Sequence, residues 1–213
     1  MYKKKPFLII FEGVEGCGKS YQTQKLKKNL IKKGIDLTLT REPGGTRSAE
    51  SIRRLILKDY FNKGNNEKFD KYTDTLLYLA ARNEHVKNKI KPALFKKKII
   101  ICDRFIDSTI AYQFYGKGVN LNLINVIHKN ILNKIKPDLT YVLKCNVTSA
   151  LNRINQRKSK NRYDKFSKNF YTKVQNAFIK IAKKDKKKYM IVDNSKNDRS
   201  SENSIINKFF KRY

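Results

Sequence analysis

Five short apolar runs punctuate the chain: Phe7 to Phe11, Ile35 to Thr40, Ile99 to Cys102, Leu139 to Leu143 and Tyr189 to Val192. Their length and β-branched content predict strands. One or more segments of helical spacing separate each run from the next. Residues 21–31, for example, place Leu26 and Leu30 one turn apart and stop at Gly34, a residue suited to ending a helix. Strands that alternate with helices favour a parallel sheet covered on both faces. Pro92 and Pro137 fall in or just before the connections into the third and fourth runs, where helix breakers are expected. The pattern predicts a three-layer α/β domain, a five-stranded parallel sheet flanked by helices, with ligands beyond the carboxyl ends of the strands.

The first run feeds directly into Gly13-Val14-Glu15-Gly16-Cys17-Gly18-Lys19-Ser20, a Gly-x4-Gly-Lys-Ser loop that opens the first predicted helix. Polyphosphates carry dense negative charge. A glycine-rich turn can aim several backbone N–H groups at them, and the following helix presents its positive end. In such a loop Lys19 reaches the β- and γ-phosphates of a nucleotide and the Ser20 hydroxyl ligates Mg²⁺. The strand before and the helix after are the context that separates this loop from an ordinary glycine turn, and together they predict a P-loop NTPase fold.

Composition narrows the setting. A chain of 213 residues without a Pro/Ser-rich linker or internal repeat fits one domain, residues 1–213. No apolar stretch approaches the roughly 18 residues needed to cross a membrane. No cleavable apolar segment precedes the first strand, so a cytoplasmic location is expected. Cys17, Cys102 and Cys145 are odd in number and widely spaced, with only His85 and His128 as nitrogen ligands, which argues against a disulfide framework or a zinc site. The net charge of +31 would by itself suggest a nucleic-acid partner. Yet 38 of the 49 basic residues are lysines, scattered among abundant Asn and Ile. An AT-rich coding sequence produces that bias whatever the function, so a solvated surface is the expectation and no nucleic-acid partner is expected.

Three further segments carry chemistry. The third run ends in Cys102-Asp103-Arg104; a carboxylate at a strand end beside a phosphate loop suits a role in holding Mg²⁺, directly or through water, although an Asp–Arg pair can simply cap a strand. Arg41-Glu42-Pro43-Gly44-Gly45-Thr46 follows the second run, and its Pro-Gly-Gly core makes a tight turn that a plain helix connection does not require. Arg153 and Arg157 lie one helical turn apart, with Arg162 beyond a polar stretch. Such a segment can close over phosphates or be a solvated charged helix.

With these residues in view, the sequence resembles the thymidylate kinases, nucleoside-monophosphate kinases that make dTDP from dTMP and ATP, in their bacterial form. The resemblance spans nearly the whole chain: residues 11–20, Thr40 to Thr46, Leu77 to Arg82, and Asp103-Arg104-Phe105 running on to Ser108-Thr109-Ile110-Ala111-Tyr112-Gln113. It implies a monophosphate-kinase architecture with a lid at about residues 153–164. It also implies that Glu15 accepts from the 3′-hydroxyl of dTMP, that Tyr78 stacks on thymine, and that Arg82 and Thr109 read the polar edge of the base. By the same resemblance Tyr112 crowds the sugar 2′ position, and Arg104, supported by Arg41 and Arg53, holds the acceptor phosphate. Asp193-Asn194-Ser195 falls where the family approaches adenine. Arginines of the lid, with Arg153, Arg157 and Arg162 as candidates, share the charge of the transferring phosphoryl group with Lys19. Mg²⁺ on Ser20 and Asp103 as cofactor, ATP and dTMP as substrates, and a homodimer are likewise implied. Two rivals remain open at this level: a kinase for another small acceptor, and a nucleic-acid-binding NTPase that uses the positive charge.

Overall fold

The computed structural model describes residues 5–58, 68–158, 161–196 and 199–213. Five parallel strands, β1 (Phe7–Glu12), β2 (Leu37–Arg41), β3 (Ile99–Asp103), β4 (Leu139–Lys144) and β5 (Tyr189–Asp193), form one sheet in the order β2-β3-β1-β4-β5. The central strand β1 is buried along its whole length. Its side chains alternate between two cores, as a period-two strand requires. Phe7, Ile9 and Phe11 join Leu26, Leu30, Tyr141, Phe178 and Phe209 on one face; Leu8 and Ile10 join Val86, Ile90, Ile100, Phe105 and Leu132 on the other.

The helices that clothe the sheet are α1 (Lys19–Lys32), α2 (Arg47–Leu57), α3 (Lys71–His85), α4 (Lys91–Phe95), α5 (Ile106–Thr109), α6 (Leu121–Leu132), α7 (Val147–Asn155), α8 (Lys168–Lys183) and α9 (Ser200–Arg212). Because β1 lies between β3 and β4, the chain leaves it to one side for β2 and β3 and later crosses to the other for β4 and β5. A crevice opens at that switch, beyond the carboxyl ends of β1 and β3.

Two local expectations are corrected. The second apolar run begins at Ile35, but β2 begins at Leu37. Ile35 belongs to the end of α1: its N–H reaches the Leu30 carbonyl at 3.1 Å and that of Gly34 reaches Ile31 at 2.9 Å, with Gly34 at φ +70°. This is the paired-bond helix terminator in which the residue after the left-handed glycine packs back on the last turn. Pro92 does not break the helix before β3. α3 continues through a wide turn at Val86–Ile90 into α4, and Pro92 sits in the first turn of α4. The wide turn sends the Lys91 N–H to the Val86 carbonyl, five residues back, so the ladder is reset just where the proline lacks a donor.

All five strands run one residue past the apolar run, ending on Glu12, Arg41, Asp103, Lys144 and Asp193. Of these, Arg41 and Asp103 line the crevice, Glu12 is buried behind it, and Lys144 and Asp193 are exposed to solvent.

Candidate active site

The loop between β1 and α1 is shaped by close approach. Gly16 has φ +73°, and a Cβ there would come within 2.4 Å of the Ala150 carbonyl oxygen on α7. No side chain fits. Gly18, also left-handed, precedes α1 and faces the Asn194 amide, whose Nδ2 donates to the Cys17 carbonyl at 2.8 Å. Asn194 thus braces the loop from the end of β5. Lys19 is buried and spans the loop, donating to the Gly13 and Val14 carbonyls at 3.0 and 2.8 Å.

Ser20 on α1 and Asp103 at the end of β3 meet at 3.1 Å through Oγ and Oδ2. The other Asp103 oxygen, Oδ1, is buried without a partner. An unsatisfied buried carboxylate oxygen beside a hydroxyl suits a hard cation that draws its remaining ligands from phosphate oxygens and water, so these residues fit Mg²⁺. Among the described residues no cluster of three or more His, Cys, Asp or Glu side chains forms a protein-only metal cage.

These groups open on a cavity of about 410 Å³ that also receives Arg41, Arg53, Tyr78, Arg82, Arg104, Thr109 and Tyr112. Arg104 has φ +73°, and its guanidinium turns onto the Gly13 carbonyl at 2.9 Å and the Glu15 carboxylate at 2.9 Å. The Tyr112 hydroxyl donates to the other Glu15 oxygen. Burial pushes the Glu15 carboxyl up, but Arg104, Lys19 and the Tyr112 hydroxyl outweigh it and hold the group below the usual carboxylate range. Glu15 is therefore an anion at neutral pH, set to accept. Arg53 donates to the Pro43 carbonyl at 2.7 Å, and Arg41 is clamped on Glu50 at 3.1 Å. The Gly45 N–H also binds Glu50, at 3.0 Å, so one carboxylate fixes both the Pro-Gly-Gly turn and its arginine.

Arg153 and Arg157 reach the cavity from α7 and the segment after it. Arg153 donates to the Gly16 carbonyl at 3.1 Å and Arg157 pairs with Asp164 at 3.1 Å. Arg162 does not join them. Its guanidinium pairs with Asp74 of α3 and donates to the Ile56 carbonyl of α2, away from the cavity lining. A fully buried carboxylate is a stronger partner than solvent-facing space, and Asp74 also holds Lys117 at 2.6 Å and the Tyr163 hydroxyl at 2.7 Å. Residues 159–160 of the expected lid lie outside the described residues.

The thymidylate kinase profile matches residues 11–205. The thymidylate kinase of Wolbachia pipientis wMel is 43% identical over 204 residues, covering 94% of this chain and 98% of the relative. The chain belongs to the thymidylate kinase family. The Bacillus velezensis thymidylate kinase is 40% identical over 190 residues, 88% of this chain and 87% of that one. The crystal structure of the Ehrlichia chaffeensis thymidylate kinase superposes with a TM-score of 0.74 at 31% identity, covering 96% of this chain and 99% of that chain. The family fold and the five-stranded parallel sheet described above agree.

Sequence reading of this family member missed three contributors. Tyr163 lines the cavity and sets its ring edge-on to Tyr78, with centroids 5.8 Å apart. Glu42 takes the Arg82 Nε–H at 2.7 Å and faces His85 Nδ1 at 2.9 Å, both fully inside the protein. Glu12 accepts from the Phe105 N–H at 2.8 Å and the Ser108 hydroxyl at 2.6 Å, which orients the turn that carries Arg104. The sequence signals for the last two were the place of Glu12 at the end of β1 and of Glu42 just after β2, beside the Pro-Gly-Gly turn.

Glu12 also gives a pH signature. Burial and the nearby Asp107 raise its carboxyl to about 8, against an ordinary 4.5; burial raises Asp107 to about 6, with Tyr189 and Arg82 pulling the other way. A folded-state value above the unfolded one means that the folded chain keeps protons the unfolded chain releases. The stabilisation is complete below about 4.5 and is lost as pH rises toward about 8. Urea denaturation is expected to show a lower midpoint at pH 8.5 than at pH 6, and Asp107→Asn is expected to flatten the difference. An unchanged slope in the variant would show that this pair does not govern it.

Proposed function

We propose that the chain transfers the γ-phosphoryl group of ATP to the 5′-phosphate of dTMP, giving dTDP and ADP. The observation that carries this reading is the single cavity in which a phosphate loop (Lys19, Ser20), an acceptor-phosphate arginine (Arg104) and a base-sized aromatic wall (Tyr78) converge. In the transfer, an acceptor phosphate oxygen forms the new bond to the γ-phosphorus as the bond to the β-bridging oxygen breaks. The acceptor is already ionised, so no protein base or nucleophile is needed, and catalysis is alignment plus neutralisation of oxygen charge. Lys19 and the loop N–H groups hold the donor phosphates, while Arg104, with Arg41 and Arg53 behind it, holds the acceptor.

Arg153 and Arg157 supply lid charge to the transferring group. Arg162 acts instead as the anchor that fastens Tyr163 over the cavity. Ser20 and Asp103 would hold Mg²⁺, which would supply positive charge to offset that of the donor phosphates. Glu15 accepts from the sugar 3′-hydroxyl, and Tyr112, tied to Glu15, fills the 2′ side. Thr109 and Arg82 meet the base edge.

The test is ADP release with MgATP and a panel of dTMP, dUMP, UMP, dCMP, dGMP and AMP. Strong preference for dTMP is expected. Preference for another acceptor would move the function while keeping the fold, and turnover only with added DNA would favour the nucleic-acid reading.

A homodimer belongs to the same proposal. Tyr72 and Leu76 of α3 are 40% and 49% exposed, and Val126 of the adjoining α6 is 51% exposed. Apolar side chains on neighbouring helices suit a partner surface. Sedimentation equilibrium is expected to give twice the chain mass of 25.0 kDa, and Leu76→Glu to give the single mass. No helix among the described residues is long and apolar enough to cross a membrane.

A further inference from the structure

We propose that His128 is a positioning residue for recognition of the acceptor base: it fixes the Arg82 guanidinium so that one N–H faces the cavity, favouring a pyrimidine with a carbonyl at C4 over a 4-amino one. The inference rests on the dTMP reading above and assigns a residue that lies outside the cavity lining.

A guanidinium has five N–H groups and accepts nothing. Four of the Arg82 donors are committed. Nε–H binds Glu42 at 2.7 Å, Nη1 serves both the Thr109 hydroxyl at 2.7 Å and His128 Nε2 at 2.6 Å, and Nη2 serves the Phe105 carbonyl at 2.8 Å. Arg82 is 2% exposed and still lines the cavity, so the remaining Nη2 N–H is what it offers a ligand. A carbonyl accepts that N–H; an amino group brings a second donor against it and leaves both unpaired, which is a strong basis for rejection.

His128 determines this count. Because Arg82 can only donate, His128 Nε2 must accept, and the ring is neutral with its proton on Nδ1. That Nδ1 is buried and has no partner. Burial, helped by Arg82, pulls the imidazole down to about 3, so the ring stays an acceptor throughout the physiological range. A histidine that leaves one buried nitrogen unsatisfied to keep the other on a guanidinium is placed for the second contact, not for its own packing. Without an acceptor from α6, an Nη1 N–H is left bare, and the guanidinium, still held by Glu42, Thr109 and Phe105, shifts within that frame so that its cavity-facing donor is displaced.

The test compares His128→Leu, which fills the space without an acceptor, with His128→Gln, which restores one. The full chain is assayed with MgATP and either dTMP or dCMP, beside the wild type. His128→Leu is expected to raise the KM for dTMP roughly tenfold and to erode the dTMP over dCMP preference by a similar factor, the loss of one charge-assisted hydrogen bond. Its KM for ATP and its kcat are expected to stay within about twofold, and His128→Gln to recover most of the preference. If His128→Leu does not fold, His128→Ala, which admits water beside Arg82, takes its place with a smaller rise. A uniform loss across kcat and both KM values, or a glutamine variant no better than leucine, would overturn the inference. A wild type without dTMP preference would instead overturn the functional reading on which it stands.

Discussion

Lys19→Ala is expected to lower kcat by about a thousandfold with little change in melting temperature. The ammonium lies within the loop, on the Gly13 and Val14 carbonyls, where donor phosphate oxygens would compete for it. Removing one preorganised cation from a developing charge costs on the order of 3–4 kcal/mol of transition-state stabilisation, which is two to three decades in rate. The structural cost is small by comparison. Arg104 also donates to the Gly13 carbonyl, and the left-handed glycines, the Asn194 brace and the packing of Leu26 and Leu30 hold the loop and α1 without the lysine. Coupled ADP release and a thermal melt on the same preparation read both quantities. A folded variant with near-normal turnover would remove Lys19 from the phosphate site and with it the central assignment.

Local signals carried the fold and most of the cavity. The β1 run, its glycine loop and the Leu26/Leu30 stripe announce a strand, a phosphate loop and a helix within 25 residues, each by its own periodicity or steric need. The strand that was misplaced, β2, failed because Ile35 is apolar for the sake of the α1 terminator and not of the sheet. Pro92 misled because a wide helical turn five residues long supplies the tolerance that an ordinary helix lacks. What stayed hidden is long-range pairing. Glu42 and Arg82 are 40 residues apart, Arg82 and His128 are 46 apart, and Asp74 and Arg162 are 88 apart. No period or spacing encodes such partners. The lid illustrates the consequence: three arginines looked equivalent as charges, and only packing separates the two that face the cavity from the one that anchors the segment.

That anchor yields the second large effect. Asp74→Asn is expected to lower the melting temperature by about 6–20 °C and to raise the KM for dTMP more than that for ATP. Asp74 is fully buried and faces Arg162, Lys117 and the Tyr163 hydroxyl together. Burying a carboxylate is itself costly, and the arrangement is favourable only because both oxygens are saturated by charged or hydroxyl donors. Asparagine keeps the shape but leaves two cations facing a neutral amide, a loss of about 3–5 kcal/mol of the kind seen when one member of a buried ion cluster is removed. The segment can relieve that by releasing Arg162, and Tyr163 goes with its neighbour. Tyr163 stands edge-on to Tyr78, so the wall proposed for the acceptor base would lose its support, whereas the glycine loop proposed for ATP, braced by Asn194 and α7, would not. The cycle of Asp74→Asn with Arg162→Gln separates this account from general destabilisation. Because Arg162→Gln removes one of the stranded cations, the double variant is expected to be less destabilised than the sum of the two single changes. Strict additivity, or a dTMP KM unmoved in Asp74→Asn, would show that Asp74 does not hold the lid over the acceptor site.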